Sequence, residues 1–496
     1  MKLHSFHYRP CLITGLLAFG LMTAAAHPSL AQTATIFQNF AGTAYDQVPG
    51  SVPPDTMGAM GVNNQFAEFI NGSFANFNTS TGSLVSRVSD GTFWQNAGIS
   101  SGTLSSGLSD PRLLFDNSTQ RWFATEITVP AQNNAYLVAV SNTADLTAGF
   151  KGYTFQANPA TGSQNLFADY DMLGINGDGV YIGANNFTSS NVGGSDVSSS
   201  ILSISKADLL AGSATPASQL FYGNSGGTTG YLPQPITDLD TPQANGKAYF
   251  LSKFNQTTVA LSSLNGSGAN PAGQTLTATG GNITIASNPG PPDAGQPGAP
   301  NSIQTNDSRF SGAVIKRSGF LWGVQGSQQN GKAALHWEQI DPVTKTVVNQ
   351  GFISDAAHDY YYGSIAVNAA GAIVIGYTRS GATEFPSTYA SVGKLDSSGV
   401  SFNAPLLLKQ SSTLYNISDG SPQHRWGDYS NTVVDPTDPN KFWTIQEFSD
   451  TSGHYGTQIT GIQVDAVPEA CSAVGFGLLL SLGGLGLVAR RKAAKA

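Results

Sequence analysis

Cysteine is nearly absent from this chain and is confined to its two ends. The 496 residues include only Cys11 and Cys471, so the region between them has none. Disulfide bonds therefore cannot hold that region together, and its stability must come from a hydrophobic core and from hydrogen bonds. Histidine is also scarce, and the histidines between residues 336 and 454 show no zinc-binding spacing.

Charged residues make up only 11% of the chain, and acidic residues outnumber basic ones. Residues 32–465 contain 30 acidic and 17 basic side chains, which gives this region a net charge of −13. Such an acidic region argues against nucleic acids and anionic membranes as partners. Long Lys/Glu-rich helical patterns are missing, whereas Gly, Ser, Thr and Asn are abundant. This composition is typical of an extracellular all-β protein with many turns.

The first 31 residues have the order of a secretory signal peptide. Lys2 and Arg9 supply positive charge, residues 11–26 form an apolar stretch, and small residues follow it. This order predicts export, with cleavage near Ala31. The alternative is a buried N-terminal helix.

Residues 466–496 contain a second apolar segment. No charged residue occurs from Ala470 to Ala489, and a basic run follows from Arg490. A helix of this length covers about 30 Å, the thickness of a bilayer core. The segment therefore predicts a transmembrane helix whose basic end stays in the cytoplasm.

The segment Val467-Pro468-Glu469, the apolar span and the pair Arg490-Arg491 together resemble the PEP-CTERM sorting signal. The usual tripeptide of that signal is Pro-Glu-Pro, and here alanine stands in its third position. The resemblance implies processing near Pro468 by an exosortase-type membrane enzyme, after transient contact with the inner membrane. It also implies delivery to the cell surface or extracellular matrix of a Gram-negative bacterium.

The body between these segments, residues 32–465, repeats one pattern. Each unit has an Asp or small polar residue, an apolar strand, a turn with Gly or Asn, and an aromatic-rich strand, which together indicate a hairpin. The seven units begin at residues 55, 110, 169, 237, 307, 362 and 428. Because a four-stranded blade needs about 40–50 residues, this period predicts an all-β, seven-bladed β-propeller. Six blades and a pair of β-sandwiches are the alternatives.

Three further segments lie outside these units. Residues 33–42 form a strand without a neighbouring hairpin partner, and we expect it to become the outer strand of the last blade. Residues 185–200 and 288–307 are rich in Gly, Pro, Ser and Asn, so we expect loops there. The second of these is expected to be disordered or to cover one mouth of the ring.

Asp55, Asp110, Asp169 and Asp428 occupy the same position in their repeats, as Asp307 also does. In a propeller this position lies near the central channel, so the carboxylates should converge. They are candidate acid/base groups, and their oxygen atoms are also ligands of the type that Ca²⁺ prefers. The favoured alternative is that each Asp accepts backbone N–H bonds and shapes its own turn. The sequence otherwise predicts neither a metal site nor a cofactor.

The densest group of candidate ligand-binding residues lies between residues 424 and 429. Arg425 can bind a carboxylate or a sulfate bidentately, Trp426 can stack on a sugar ring, and Tyr429 is close to both. The alternatives are an ion pair of Arg425 with an aspartate and packing of Trp426 between blades.

Residues 53–61, 109–123 and 425–443 resemble the sialidase-like (BNR) propeller superfamily. The resemblance implies a triad of arginines for a substrate carboxylate, and the candidates are Arg112, Arg309, Arg379 and Arg425. A Tyr–Glu nucleophile pair and regular Asp-box motifs are not found in the sequence. We therefore favour a non-enzymatic surface protein that binds exopolysaccharide or another surface partner. The alternative is a glycoside hydrolase or lyase with its site at the propeller mouth.

Deletion of residues 467–496 tests the predicted sorting signal. We expect the truncated protein to appear in the culture medium, because the segment that an exosortase would process is gone. Immunoblotting of separated cells and medium measures the distribution. Unchanged attachment to the cell surface would contradict the prediction.

Overall fold

The structure is a computed structural model that describes residues 32–465, except 160–164, 191–194, 241–245, 419 and 421. The predicted signal peptide and the sorting residues Val467, Pro468, Glu469, Arg490 and Arg491 lie outside this range. Within it, β-strands dominate, as the sequence predicts. No helix among the described residues is long and apolar enough to cross a membrane.

The helices of the described residues are short and connect strands. The α-helices are α1 (Asp90–Asn96), α2 (Ser101–Leu104), α3 (Lys206–Leu210) and α4 (Gly226–Thr229), and the 3-10 turns are Tyr45–Gln47, Leu146–Ala148 and Pro271–Gly273. Helix α1 begins after Ser89, whose side chain caps it by accepting a hydrogen bond from the backbone N–H of Thr92. It buries Phe93 and Trp94 between the first two groups of strands.

Seven groups of four strands follow one another along the chain, and in six of them the first hairpin lies where the repeat predicts it. In the fourth group the first strand is Tyr231–Asp238, so it ends where the predicted unit begins, at residue 237. Neighbours within the first six groups are antiparallel and follow chain order. The chain starts with an outer strand, β1 (Ala34–Ala44). The first three groups are β2 (Met57–Met60), β3 (Gln65–Ile70), β4 (Ser73–Asn78) and β5 (Ser83–Val88); β6 (Leu108–Asp116), β7 (Arg121–Thr128), β8 (Ala135–Ser141) and β9 (Phe150–Gln156); and β10 (Phe167–Ile175), β11 (Gly179–Phe187), β12 (Asp196–Ser205) and β13 (Ser218–Asn224).

The later groups carry a few additional strands between them. The fourth group is β14 (Tyr231–Asp238), β15 (Lys247–Lys253), β16 (Thr258–Asn265) and β17 (Thr275–Thr277), with β18 (Ile283–Thr284) beside β16, and a separate hairpin follows it, β19 (Ala294–Gln296) and β20 (Ala299–Ile303). The fifth group is β21 (Val314–Arg317), β22 (Phe320–Gln329), β23 (Lys332–Asp341) and β24 (Thr346–Ile353). The sixth is β25 (His358–Val367), β26 (Ala372–Gly381), β27 (Glu384–Asp396) and β28 (Gly399–Phe402), with β29 (Leu406–Lys409) beside β27, and the seventh contains β30 (Asn431–Val434), β31 (Lys441–Ser449) and β32 (Tyr455–Val464). Strands β14 and β21 pair in parallel and join the fourth and fifth groups.

Strand β1 completes the seventh group, which otherwise has only β30, β31 and β32. It pairs antiparallel with β32, from Ala34 opposite Val464 to Ala44 opposite Gly456. The expected role of residues 33–42 is thus confirmed. Alternate side chains of β1 are more exposed, which is the pattern of a strand with one face towards solvent.

The first strands of the groups form a closed cycle. Strands β2, β6, β10, β14, β21, β25 and β30 contact one another in this order, and β30 contacts β2. A hydrophobic cluster fills each junction between consecutive groups, as Trp443 and Phe66 do between the seventh and the first. Inner strands such as β26 are buried on both faces and are therefore continuously apolar, as at residues 373–375. The architecture is consistent with a β-propeller.

The two segments that we expected to be loops are more ordered than their composition suggests. Residues 185–187 and 196–200 belong to β11 and β12, so the first loop is short. In the second segment, the β19–β20 hairpin packs Ala294 and Ile303 against Tyr415 and Trp426. Disorder is therefore the wrong expectation for this segment, which covers the residues that precede β30.

A buried carboxyl group ties the ends of the body to its first group of strands. The side chain of Glu68 on β3 is fully buried and accepts hydrogen bonds from the backbone N–H of Thr43 at 3.1 Å and from the Thr43 and Thr457 hydroxyls. Thr43 belongs to β1 and Thr457 to β32. Glu68 therefore links three strands at the junction where the ring closes.

We expect Glu68→Ala to lower the free energy of unfolding by roughly 2–3 kcal/mol, because it leaves buried donors without an acceptor. Glu68→Gln is the matched control, since its amide oxygen still accepts and its shape is unchanged. Urea denaturation measures both variants. Equal losses in the two variants would contradict this role of Glu68.

Candidate functional site

An open cleft of about 520 Å³ lies where several first strands begin. Asp55, Asp110, Asp169 and Asp428 all line it, together with Arg425. The four carboxyl groups that we predicted to converge thus lie around the same cleft. The fifth repeated aspartate, Asp307, does not line the cleft and instead pairs with Arg309.

Strained turns in the backbone bring these side chains to the cleft. Asp110 has a φ of 63° and Tyr170 a φ of 61°, and each lies within a β-bulge near the start of its strand. Leu232 and Tyr362 repeat this arrangement in β14 and β25. A bulge re-aims neighbouring side chains, and a left-handed residue other than glycine costs about 1–3 kcal/mol. The repeated strain requires compensating interactions.

Hydrogen bonds between neighbouring groups supply that compensation. The Asp428 N–H donates to Asp55 Oδ1 at 2.7 Å, and the Tyr170 N–H donates to Asp110 Oδ2 at 2.9 Å. The Asp110 N–H in turn donates to Asn71 Oδ1 at 3.0 Å. Asp55 and Asp110 thus accept backbone N–H bonds as we favoured, but the donors belong to a neighbouring group of strands, so these aspartates connect groups and do not shape their own turns.

Asp428 is bonded differently, because its carboxylate pairs with a side chain. Arg425 Nη2 donates to Asp428 Oδ2 at 3.0 Å, so the ion-pair alternative for Arg425 is the observed one. Asp428 Oδ1 and Arg425 Nε have no hydrogen-bond partner among the described residues. Buried polar atoms of this kind call for a ligand or water, so this pair is suited to binding.

Three carboxyl groups of the cleft, those of Asp55, Asp110 and Asp169, have raised pKa values. Burial, with added repulsion from Asp428 and Asp110, raises the pKa of Asp55 well above its usual value. Burial also raises the pKa of Asp110, against the attraction of Arg112. The pKa of Asp169 rises to about 7 through burial and the nearby Asp110 and Asp428. Asp169 can therefore release or accept a proton near neutrality, in the same cleft as a carboxylate held by an arginine.

Trp426 does not line the cleft and is only 1% exposed. Its ring lies 4.8 Å from that of Tyr415, and its Nε1 donates to Thr378 Oγ1 at 3.3 Å. The expected stacking on a sugar does not fit this position, because the β19–β20 hairpin covers the ring. Tyr429 is also buried, and its hydroxyl donates to the Pro111 carbonyl oxygen at 2.9 Å.

The candidate arginine triad is dispersed. Arg112 is buried beside Tyr429, with its Cζ atom 3.2 Å from the ring centroid, and it does not line the cleft. Arg379 binds Glu384 through Nε at 2.9 Å and Nη2 at 2.7 Å, on strands β26 and β27. Arg112 and Arg309 both lie against the Tyr170 ring, with Cζ atoms 5.0 and 4.3 Å from its centroid. Only Arg425 of the four candidates lines the cleft, so they do not form a triad there.

Asn71 is a site residue that the sequence reasoning missed. Its Nδ2 donates to Asp55 Oδ2 at 2.8 Å while its Oδ1 holds the Asp110 backbone, so it joins two aspartates. Asn185 has the first half of this role in the third repeat, where its Oδ1 accepts from the Leu232 N–H at 2.9 Å. The signal was present in the sequence, because both asparagines stand near the end of the second strand of their repeats.

Glu447 was missed as well. It is buried, and its Oε2 accepts a hydrogen bond at 2.8 Å from the N–H of Gly427, the residue before Asp428. No repeat position or motif marks this residue in the sequence. Among the residues that the structure describes, no group of three or more His, Cys, Asp or Glu side chains could hold a metal ion.

No family model and no curated protein matches the chain. Similar solved structures include a protein of unknown function from Dyadobacter fermentans, with 8% identity, a TM-score of 0.42 and coverage of 87% of this chain and 99% of that one. A Penicillium chrysogenum α-L-arabinanase complexed with arabinobiose has 11% identity, a TM-score of 0.38 and coverages of 73% and 98%. For Trypanosoma rangeli sialidase in complex with sialic acid the values are 10%, 0.32, 72% and 54%. Similarities this low assign no function.

The raised pKa of Asp169 predicts a pH-dependent stability. The native state binds this proton more tightly than the unfolded chain does, so Asp169 destabilises the native state increasingly as the pH rises from about 4 to about 7. We expect Asp169→Asn to reduce the fall in Tm over this range, as measured by calorimetry.

Asp341→Asn is the matched control for this measurement. Hydrogen bonds from the backbone N–H groups of Val343 and Thr344 lower the pKa of Asp341. Asp341 therefore changes the stability of the native state with pH only below about pH 4. An unchanged pH dependence of Tm in Asp169→Asn would refute the assignment of this proton to Asp169.

Proposed function

We propose that this chain is an exported, seven-bladed β-propeller protein of the cell surface or extracellular matrix that binds a neutral or amino-sugar polysaccharide in its cleft. Seven groups of four strands support seven blades rather than six, and their closed cycle of contacts supports a ring rather than two sandwiches. A ring leaves the beginnings of its first strands together at one mouth, where the cleft lies.

One observation carries the binding proposal: four aspartates from different repeats and Arg425 line a single open cleft. Carboxyl groups and a guanidinium group can accept and donate the hydrogen bonds that sugar hydroxyls make. The net charge of −13 for residues 32–465 disfavours polyanions as ligands. A neutral or amino-sugar chain meets no such repulsion.

Export and sorting complete this proposal. The signal-peptide order of residues 1–31 and the PEP-CTERM resemblance of residues 466–496 support passage through the inner membrane and processing by an exosortase-type enzyme. A protein released in this way would meet polysaccharide outside the cell.

A glycoside-active enzyme is the second candidate, and one observation favours it. Asp169, with a pKa of about 7, and Asp428, paired with Arg425, share the cleft. Glycoside hydrolases use two carboxyl groups in different protonation states, one as an acid and the other as a base or nucleophile. In this candidate Asp169 supplies the proton and Asp428 is the second group.

A glycan-binding screen of the exported protein tests the first proposal. For the best neutral glycan we expect Arg425→Gln to weaken binding at least tenfold, because it removes a charge-assisted hydrogen bond. Asp341→Asn, remote from the cleft, should leave the affinity unchanged. Absence of any glycan ligand, or equal affinity in Arg425→Gln, would refute binding at this cleft.

The same glycans, assayed for new reducing ends and for unsaturated products, separate binding from catalysis. We expect no turnover from the wild-type protein. Turnover that is lost in Asp428→Asn and Asp169→Asn would instead establish the enzyme.

A further inference from the structure

A second cavity, of about 450 Å³, lies inside the ring, and we call it the inner channel. The first strand of every group contributes to its wall. Its outer end is lined by the turns that follow these strands, where Asn117, Leu239 and Ala369 are exposed. The cleft lies at the beginnings of the same strands, so the two cavities occupy opposite ends of them.

The wall of the inner channel is mainly apolar. Representative lining residues are Met57, Leu113, Met172, Ile315 and Val433, from five different groups. Pockets of a few hundred cubic ångströms with mostly apolar walls and a few polar groups are typical binding sites for small molecules. Its volume corresponds to about fifteen water-sized groups, enough for a chain of about ten carbon atoms with a polar head.

Five charged residues of the described chain line the inner channel, and four of them have partners: Asp116 pairs with Lys206, Asp238 pairs with Lys316, Asp435 accepts a hydrogen bond from Trp443, and Arg317 donates to the Leu239 carbonyl oxygen. Arg112 is the fifth. It lines the channel, yet its side chain is only 2% exposed. Its Nε donates to the Asp171 carbonyl oxygen at 2.8 Å, and its guanidinium plane is held by the Tyr429 ring. Nη1 and Nη2 have no hydrogen-bond partner among the described residues. The guanidinium is therefore fixed in position while its two terminal nitrogens remain unsatisfied.

The groups around Arg112 favour its charged form without bonding to its terminal nitrogens: against burial, Tyr429, Tyr170, Asp171 and Asp110 together raise the pKa of Arg112, yet none of them hydrogen-bonds to Nη1 or Nη2. Burial raises the pKa of Asp171 well above its usual value, even against the attraction of Arg112, and burial also raises the pKa of Asp110. A buried cation without a hydrogen-bonded anion is costly, so an incoming anion would be bound favourably.

We propose that the inner channel binds an apolar carboxylic acid, with the carboxylate on Nη1 and Nη2 of Arg112 and the hydrocarbon chain along the channel wall. A guanidinium presents two parallel donors to a carboxylate, which matches the two unsatisfied nitrogens. Arg112 and the rings of Tyr170 and Tyr429 lie against one another and form a layer between this ligand and the cleft. Tyr170 and Tyr429 directly follow Asp169 and Asp428, which line the cleft. The inner channel therefore acts independently of polysaccharide binding.

Calorimetric titration of the full protein with decanoate, below its micelle concentration, tests this inference. We expect saturable binding of decanoate and at least tenfold weaker binding of 1-decanol, which has the same chain without the charge. Decanol that binds as tightly as decanoate would overturn the role of Arg112. Absence of saturable decanoate binding would overturn the inference altogether, whatever the cleft does with glycans.

Two variants locate the site. Arg112→Gln should weaken decanoate binding at least tenfold but not decanol binding, and Ala313→Phe should block both by filling the channel from the residue before β21. Ala148→Phe, the same substitution at an exposed position, is the control. Unchanged decanoate affinity in a folded Ala313→Phe protein would place the ligand elsewhere and refute the inference. If Arg112→Gln does not fold, Ala313→Phe and the decanol comparison decide.

Discussion

The pairing of β1 with β32 is the constraint on which the remaining structure depends, because it joins the two ends of the body into one sheet. A sheet of three strands at the junction would leave β32 as an open edge and expose the cluster around Trp443. The fully buried Glu68 reinforces the junction by connecting β1 and β32 with β3. No cysteine is involved, so hydrogen bonds and packing alone close the ring.

Closure has a direct consequence for chemistry. When the first strands are held in a cycle, their beginnings meet at one end and their following turns at the other, and each end encloses a cavity. The bulges at Asp110 and Tyr170 turn neighbouring side chains towards the first cavity, and the hydrogen bonds that stabilise those bulges use the same aspartates. Asp55 and Asp110 are therefore structural and line the cleft at the same time. Asp428 differs because Arg425 holds only one of its oxygens.

The sequence predictions were accurate for features that depend on neighbouring residues and inaccurate for features that depend on residues distant in the chain. Hairpins depend on local alternation and turn residues, so six of the seven repeat units coincide with hairpins, and the strand at residues 33–42 pairs as expected. Trp426 illustrates the opposite case. Whether a tryptophan beside an arginine faces solvent or core depends on a hairpin more than a hundred residues earlier in the chain, and composition suggested that this hairpin was a loop. Arg112, Arg309 and Arg379 lie outside the cleft for the same reason. No local sequence pattern determines which charged side chains come into contact.

The sequence by itself determined the all-β class, most of the hairpins that begin the groups of strands, and the acidic and cysteine-free character of the body. Periodicity carries that information, because strands and turns are local. Only the tertiary structure decided that Asn71 bridges two aspartates of the cleft, that Arg425 pairs with Asp428, and that Arg112 lies in a separate apolar channel. These outcomes depend on contacts between strands far apart in the chain, which form only when the cycle of sheets closes.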